Sequence, residues 1–187
     1  MDAKRSDTKW PGIYKSTTGI LFFGTPFRGA GGLNQTEMLQ AIQSQYNDGH
    51  QIQGSNLNIL APGNETLMDL MDEFFETRQE RHIARVACFF EQKPSNVAAI
   101  YKGSRVEVGG LVSIPDRADK KQKFVVDETS GCLDQSEATE KFSLSRDHFN
   151  MNKFGKPEEE DFETVCEVIE AMVKLAPGLI AARDQGR

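Results

Sequence analysis

Residues 19–24 read Gly-Ile-Leu-Phe-Phe-Gly, a short apolar run enclosed by two glycines. A run of this length without polar alternation is typical of a strand that is buried on both faces, as in parallel sheets. It leads directly into residues 25–32, Thr-Pro-Phe-Arg-Gly-Ala-Gly-Gly, which are rich in turn-forming residues. We therefore predict that residues 20–23 form a strand of a parallel sheet and that a loop leaves its C-terminal end.

Two further apolar runs are candidates for strands of the same sheet. Residues 83–90 read Ile-Ala-Arg-Val-Ala-Cys-Phe-Phe, which predicts a second buried strand. Residues 123–127 read Lys-Phe-Val-Val-Asp, which predicts a third. We expect residues 85–90 and 124–126 to be neighbouring strands in the sheet of strand 20–23.

Amphipathic patterns predict helices between and after the strands. Residues 64–82 carry apolar side chains at helical spacing opposite an acidic face, and residues 158–175 repeat this pattern up to Pro177. A shorter helical pattern covers residues 35–46, and two glycines predict a hairpin within residues 105–114. Strands that alternate with helices favour an α/β fold with a small, mostly parallel sheet flanked by helices.

The composition limits the class of protein. The 187 residues suffice for one domain, and 22 basic against 28 acidic side chains leave a net charge of −6. This charge argues against binding to nucleic acid, because phosphate recognition needs a cationic surface. Neither a secretory leader nor an apolar stretch of the roughly 20 residues that cross a bilayer is recognisable. We therefore expect a cytoplasmic protein without a transmembrane segment.

Metal and cofactor sites are not indicated by the sequence. Cys88, Cys132 and Cys166 show no metal-ligand spacing, and we expect buried, reduced thiols. The Gly-rich residues 24–32 lack the Gly-Lys-Ser/Thr ending of a P-loop and the third glycine of a dinucleotide-binding fingerprint. A nucleotide-binding function is therefore the least favoured hypothesis, and no cofactor or metal is expected.

His148 is the strongest candidate for a chemical role among the three histidines. It lies in residues 144–149, Leu-Ser-Arg-Asp-His-Phe, after the last predicted strand and before the last predicted helix. In open α/β sheets the loops that leave the C-terminal ends of the strands carry the functional groups. His50 and His82 lie in polar and charged surroundings and are expected to be solvated.

Glu91 is the best candidate for a carboxylate partner of this histidine, because it directly follows the apolar run of the second strand. A carboxylate at the tip of a strand can orient a histidine, as the acid of a catalytic triad does. Asp127, Glu128 and Asp134 remain alternatives. A nucleophile is not recognisable, since the chain contains no Gly-x-Ser-x-Gly elbow.

Three segments of the chain resemble one protein family. Residues 19–30, with Gly-Thr-Pro-Phe-Arg-Gly-Ala at their end, resemble the strand and the Gly-Thr-Pro-His-Arg-Gly-Ser motif of lipase-like α/β-hydrolases. Residues 144–154 are similar to the family's closing segment, an Asp-His followed by Met-x-Lys-Phe, and residues 125–132 to its valine strand and Glu-x-Ser stretch. The family includes the serine-active-site-containing proteins and the hydrolase-like domains at the N-termini of many fungal NACHT or NB-ARC signalling proteins.

The resemblance implies that residues 14–176 form the C-terminal half of an α/β-hydrolase-like domain, with a partial hydrolase fold. It also implies that His148 is the catalytic histidine and that Glu91 is the best match for the acid. The family's nucleophile elbow precedes the Gly-Thr-Pro strand and has no counterpart here. We accordingly expect residues 1–13 to be disordered or a leftover segment, and residues 177–187 to be a frayed tail.

Two hypotheses for the function follow from this resemblance. The first is a truncated lipase- or esterase-type domain that lacks its serine and is not catalytic alone. An acyl-ester or lipid substrate would then bind only when the missing half is supplied. Phe27 and Ala30, which replace the family's His and Ser, remove polar atoms beside the expected site. The alternative is a non-catalytic interaction or sensing module related to the fungal signalling domains, with a protein partner or self-association at the exposed sheet edge.

Overall fold

The computed structural model describes the chain in several stretches. These are residues 5–6, 8–32, 54–78, 83–96, 122–134, 136 and 138–185. The helix expected within residues 35–46 and the hairpin expected within residues 105–114 lie outside the described residues, as do His50 and His82.

Helices and strands alternate along most of the described chain. In chain order the elements are α1 (Ile13–Ser16), β1 (Gly19–Phe23), α2 (Glu65–Thr77), β2 (Arg85–Glu91), β3 (Ser95–Asn96), β4 (Gln122–Lys123), α3 (Glu128–Gly131), β5 (Thr139–Leu144) and α4 (Glu160–Gln185). Short 3-10 helices occupy Gly54–Leu60 and His148–Asn150.

A parallel sheet of β1, β2 and β5, in the order β1-β2-β5, forms the centre of the fold. The register places Phe23 beside Phe89, and Phe89 beside Phe142. These rings stack across the strands, with ring centroids 4.6 Å apart in the first pair and 5.4 Å apart in the second. The prediction that residues 20–23 and 85–90 are neighbouring strands is confirmed.

The prediction of a third sheet strand at residues 124–126 is wrong. Residues 124–126 form no strand, and the preceding strand β4 ends at Lys123 and pairs antiparallel with β3 in a separate ribbon. The third strand of the sheet is β5, whose sequence Thr-Glu-Lys-Phe-Ser-Leu mixes polar and apolar residues. In the part of the chain that the structure describes, β5 is an edge strand with Phe142 and Leu144 in the core on the α4 side. Such a strand does not need the continuous apolar run of a central one.

Apolar cores cover both faces of the sheet. The core on the α4 face contains Leu21, Phe23, Ala87, Phe89, Phe142, Leu144, Met151, Phe154, Val165, Val168 and Met172. The core on the α2 face contains Ile20, Phe22, Phe27, Met71, Phe74, Val86, Cys88, Phe90, Cys132 and Leu133. Successive residues of a strand alternate between the two cores, since their side chains point to opposite faces. The predicted α/β class, a small parallel sheet with flanking helices, is confirmed.

Two local predictions can be compared with the structure directly. Helix α2 begins after Asn64, whose side chain accepts a hydrogen bond of 3.3 Å from the backbone N–H of Leu67 and so caps the helix. Cys88 and Cys132 are buried free thiols, as expected, whereas Cys166 is only partly buried.

The prediction that the last helix ends at Pro177 is wrong, because α4 continues through Pro177 to Gln185. A proline inside a helix cannot donate to the carbonyl four residues earlier, here that of Val173. The Val173 side chain is 63% exposed, so water has access to this part of the helix and can hydrate that carbonyl. Residues 177–185 are therefore helical.

Arg183 attaches the end of α4 to the segment that leads into the sheet. Its Nη1 donates hydrogen bonds to the carbonyl of Lys15 at 2.6 Å and to that of Thr17 at 2.9 Å. These carbonyls lie at and just after the C-terminus of α1, where helical carbonyls lack intrahelical donors. One side chain thus stabilises the ends of two helices.

The first residues make contacts with the rest of the fold. Arg5 forms an ion pair with Glu73 of α2, and the backbone N–H of Trp10 donates to the carbonyl of Ser6 at 3.0 Å.

The domain boundaries expected from the sequence stay predictions. Among the described helices, none has both the length and the apolar character needed to cross a bilayer.

Candidate functional site

Three segments meet at the C-terminal edge of the parallel sheet. Glu91 is the last residue of β2, residues 25–29 form the loop after β1, and His148 begins the 3-10 helix after β5. The segment that runs from β5 to the start of α4, residues 145–161, is termed the histidine loop. Because the three strands are parallel, all three segments leave the same edge of the sheet.

The structure brings His148 and Glu91 close together. Nδ1 of His148 lies 3.8 Å from Oε2 of Glu91, which is longer than a hydrogen bond of about 2.6–3.2 Å. Both atoms are buried, and neither has a hydrogen-bond partner among the described residues. The two side chains therefore face each other without a hydrogen bond between Nδ1 and Oε2.

The imidazole is buried only in part. Nδ1 is buried and faces Glu91, yet the His148 side chain as a whole is 24% exposed. The exposed surface therefore belongs to atoms of the side chain other than Nδ1. In a catalytic triad the acid likewise binds Nδ1 and leaves Nε2 for the nucleophile.

Gly24 allows the ring to approach the end of β1. It has a positive φ of 54°, and a Cβ atom there would lie 3.0 Å from Nδ1 of His148 and 2.9 Å from Sδ of Met151. Met151 is 2% exposed and belongs to the core on the α4 face. Gly24, which precedes loop 25–29, is thus in close contact with His148 and Met151 of the histidine loop.

Glu91 lies in a dry environment that favours its neutral form. Its side chain is fully buried, and its Oε1 accepts a hydrogen bond of 2.9 Å from the backbone N–H of Val126. Burial raises the pKa of Glu91 to about 7, although the N–H groups of Val126 and Val125 oppose this change. Residues 124–126 therefore hold the carboxyl group, a function that their apolar sequence does not indicate.

His148 is also shifted toward its neutral form. Burial lowers its pKa, and the nearby charge of Asp147 opposes this change only in part. Near neutral pH the imidazole is therefore mainly neutral, and the pKa of the carboxyl group that it faces is raised toward the same range. A neutral imidazole with an accessible nitrogen can accept a proton from a bound group.

Ser95 is a site residue that sequence reasoning missed. It is 1% exposed, and its Oγ accepts a hydrogen bond of 3.2 Å from the backbone N–H of His148. Nothing in the sequence around residues 91–96 indicates this contact, because the donor is 53 positions later in the chain.

The alternative carboxylates have other partners. Asp127 caps α3 by accepting from the N–H of Ser130 at 2.8 Å, and Glu128 lies 3.7 Å from Nζ of Lys141. Asp134 accepts a hydrogen bond of 3.1 Å from Arg28. These engagements leave Glu91 as the carboxylate that faces the histidine.

Arg28 links the Gly-rich loop to the segment after α3. Its Nη1 donates to the carbonyl of Thr129 at 2.5 Å and to that of Cys132 at 2.9 Å. The arginine of the Gly-Thr-Pro-Phe-Arg-Gly stretch is thus used to hold backbone, and residues 25–29 are tied to the segment next to the site.

No metal centre is seen among the described residues, and the chain has no match among known proteins. The stretches of chain that the structure describes contain no group of three or more His, Cys, Asp or Glu side chains able to hold a metal ion. The chain matches no family model, no curated protein and no solved structure.

Proposed function

We propose that Glu91 and His148 form the acid–base half of a serine-hydrolase site in a lipase-like α/β-hydrolase domain. The observation that carries this proposal is the orientation of the imidazole, with Nδ1 buried toward Glu91 while part of the side chain stays exposed. A histidine that only served packing would not need a buried carboxyl group at its Nδ1.

The chemistry of such a pair is proton transfer. Nε2 of His148 would take the proton of an attacking hydroxyl group and later give it to the leaving group of an ester. Glu91 would hold the proton on Nδ1 and stabilise the imidazolium that forms. General-base assistance of this kind contributes about 10²–10⁴-fold to a rate when a nucleophile is held beside it.

The nucleophile has to come from another polypeptide segment. The sequence contains no Gly-x-Ser-x-Gly elbow, and no described serine hydroxyl is hydrogen-bonded to the imidazole. We therefore infer that this chain does not hydrolyse esters by itself and that an acyl-ester or lipid substrate binds only to a complemented site.

The tautomer of His148 tests the orientation. We expect the proton on Nδ1 and the lone pair on Nε2, and the nitrogen chemical shifts of the imidazole measure this. His50 and His82, which are predicted to be solvated, serve as references in the same sample. A proton on Nε2 in the folded protein at neutral pH would contradict the proposal.

Reconstitution tests the activity. The chain is mixed with the N-terminal half of a lipase-like hydrolase that contains the serine elbow, and hydrolysis of a short acyl ester is followed. We expect hydrolysis above that of the added half alone, and its loss with His148→Gln. Hydrolysis that does not depend on His148, or none above the added half, would count against the proposal.

A non-catalytic interaction module is the second candidate, and the edge of the sheet at β1, as far as the chain is described, favours it. Among the described residues β1 pairs only with β2, and all five residues of β1 are half buried. Helix α4, which contacts β1, exposes Ile169 and Val173. An unpaired edge next to exposed apolar side chains suits a protein partner or a second copy of the chain. Sedimentation at increasing concentration tests self-association, and a monomer throughout would argue against it.

A cytoplasmic location belongs to the same proposal. Cys88 and Cys132 belong to one buried cluster and remain free thiols. Thiols of this kind are typical of proteins in reducing compartments. Trapping of free thiols in freshly lysed cells would test this expectation, which predicts that both cysteines are reduced.

A further inference from the structure

Arg146 is a largely buried cation two residues before His148. Its Nη1 donates to the carbonyl of Lys153 at 2.5 Å, and its Nη2 forms an ion pair with Glu159. Its Nε lies 2.9 Å from Oδ2 of Asp161. The Arg146 side chain is 15% exposed, so most of the guanidinium is surrounded by groups of the histidine loop itself.

The two carboxylates beside Arg146 also bind the backbone of the loop. Oδ1 of Asp161 accepts from the N–H of Ser145 at 3.0 Å, and Oε1 of Glu159 accepts from the N–H of Gly155 at 2.8 Å. The bond from Gly155 lowers the pKa of Glu159, so this carboxylate stays charged beside the arginine. The histidine loop is therefore closed from its first residue to its last around one guanidinium.

An aromatic ring completes the enclosure of the arginine. Cζ of Arg146 lies 4.7 Å from the centroid of the Phe154 ring, which belongs to the core on the α4 face. This distance is typical of a cation–π contact. The guanidinium thus links the charged surface of the loop to the apolar core beneath it.

The position of this loop determines how closely the imidazole approaches the carboxyl group. Glu91 is fixed independently, because it ends β2 and accepts a hydrogen bond from Val126. His148 belongs to a segment without sheet pairing, which Met151 anchors to the core from the inner side. Arg146 holds the same segment from the outer side, so the separation of the two site groups depends on both anchors.

We propose that Arg146 is the positioning residue of the His148–Glu91 pair, because its guanidinium holds the histidine loop at the distance that keeps the imidazole buried against the carboxyl group. The inference rests on the proposed function for what the pair does, but the placement of the ring is a separate claim. Arginine suits this task since its planar guanidinium contacts two carboxylates and a carbonyl together, which the single ammonium of a lysine does not.

The test is the titration of His148 in variants of Arg146, followed by NMR of the imidazole. In the unaltered protein the Glu91 carboxyl group lies at this ring, and the nearby charge of Asp147 also acts on the pKa of His148. In Arg146→Met the loop loosens and water reaches the ring, so its pKa should rise toward the ordinary value of about 6.5. Arg146→Lys keeps the charge and one ion pair and should restore part of the difference.

Arg85→Met is the matched control. It removes the ion pair between Arg85 and Glu140 at the opposite end of β2 and should leave the titration of His148 unchanged. An unchanged titration in a folded Arg146→Met protein would overturn the proposal. The proposal also fails if Arg85→Met moves the His148 pKa as far as Arg146→Met does.

A milder variant covers the case in which Arg146→Met does not fold. Glu159→Gln keeps an oxygen that can accept from Gly155 and removes only the ion pair, so it should raise the pKa of His148 by a smaller amount. No change in that folded variant would also overturn the proposal. Failure of the proposed function, seen as an Nε2-protonated ring or as no reconstituted hydrolysis, leaves this titration test unaffected.

Discussion

The backbone N–H of Val126 donates a hydrogen bond of 2.9 Å to Oε1 of Glu91, and both residues are buried. The donor lies in a segment outside the parallel sheet, and the acceptor is the last residue of the central strand. Because this bond engages Oε1, the other oxygen, Oε2, is the one that faces His148. The geometry of the candidate site thus depends on a contact between two distant parts of the chain.

Glu91→Gln should make the free energy of unfolding less dependent on pH. Burial raises the pKa of Glu91 from 4.5 to about 7, so the folded protein holds this proton more tightly than the unfolded chain. The resulting stabilisation is fully present below pH 4.5 and is lost as the pH rises through about 7. Since a tenfold change in proton affinity is worth about 1.4 kcal/mol, the loss is about 3 kcal/mol at most.

Urea unfolding of both proteins at about pH 5 and about pH 8 measures this effect. His148 acts in the opposite sense, because burial lowers its pKa and its contribution is lost as the pH falls below 6.5. The difference between the wild type and Glu91→Gln isolates the carboxyl group. A difference that is the same at both pH values would show that Glu91 titrates normally.

Gly24→Ala should destabilise the protein more than Gly63→Ala does. Both glycines have positive φ, 54° at Gly24 and 75° at Gly63, so both substitutions introduce backbone strain. Only at Gly24 does the new Cβ meet other atoms, those of Met151 and His148 at 2.9 and 3.0 Å, whereas the space at Gly63 is open. We expect an additional loss of about 1–3 kcal/mol, which thermal or urea unfolding measures. Equal losses in the two variants would mean that the ring does not lie against β1.

The purified chain should not react stoichiometrically with a fluorophosphonate probe. Such a probe needs a serine that an adjacent base activates, and the sequence contains no nucleophile elbow to present one. Mass spectrometry of the intact protein measures the extent of labelling, with the heat-denatured chain as the control for non-specific reaction. Labelling of one serine in the folded chain above this control would contradict the inference that the chain lacks its own nucleophile.

Arg183→Met should loosen the end of α4 and the turn before β1. The substitution removes the hydrogen bonds to the carbonyls of Lys15 and Thr17, for a loss of roughly 1–3 kcal/mol. Hydrogen exchange should become faster in the last two turns of α4. Lys174→Met is the control, because Lys174 is exposed and has only a weak pair with Glu170. Equal rates of hydrogen exchange in Arg183→Met and Lys174→Met would show that Arg183 does not hold the end of α4.

Part of the fold and of the site could be predicted because it depends on local pattern. The apolar run of residues 20–23 has to be buried on both faces wherever it lies, and the same holds for residues 85–90. Once these strands are parallel, the position of Glu91 at the end of one strand places it at the edge from which the loop after β1 leaves. The sequence predicts His148 at this edge because it follows the apolar residues 124–126, but the strand that places it there is β5.

Other features required the tertiary structure, and β5 is the clearest example. Its polar residues resemble those of a loop, and it becomes a strand because β2 offers a pairing edge and the core on the α4 face receives Phe142 and Leu144. The apolar residues 124–126 lie outside the parallel sheet, and the N–H of Val126 donates to Glu91. Local pattern does not distinguish these two cases, because both depend on the partner that the backbone finds.

The amino-acid sequence by itself determined which segments are apolar enough to form the centre of the sheet, where α2 begins, and that the carboxylate Glu91 follows a sheet strand. Tertiary structure alone decided that Nδ1 of His148 lies 3.8 Å from Oε2 of Glu91 and that α4 passes through Pro177. The physical reason is that the apolar character of a segment and the capping of a helix depend on residues close together in the sequence. Hydrogen-bond partners and the pKa values of buried groups depend instead on residues far apart in the chain.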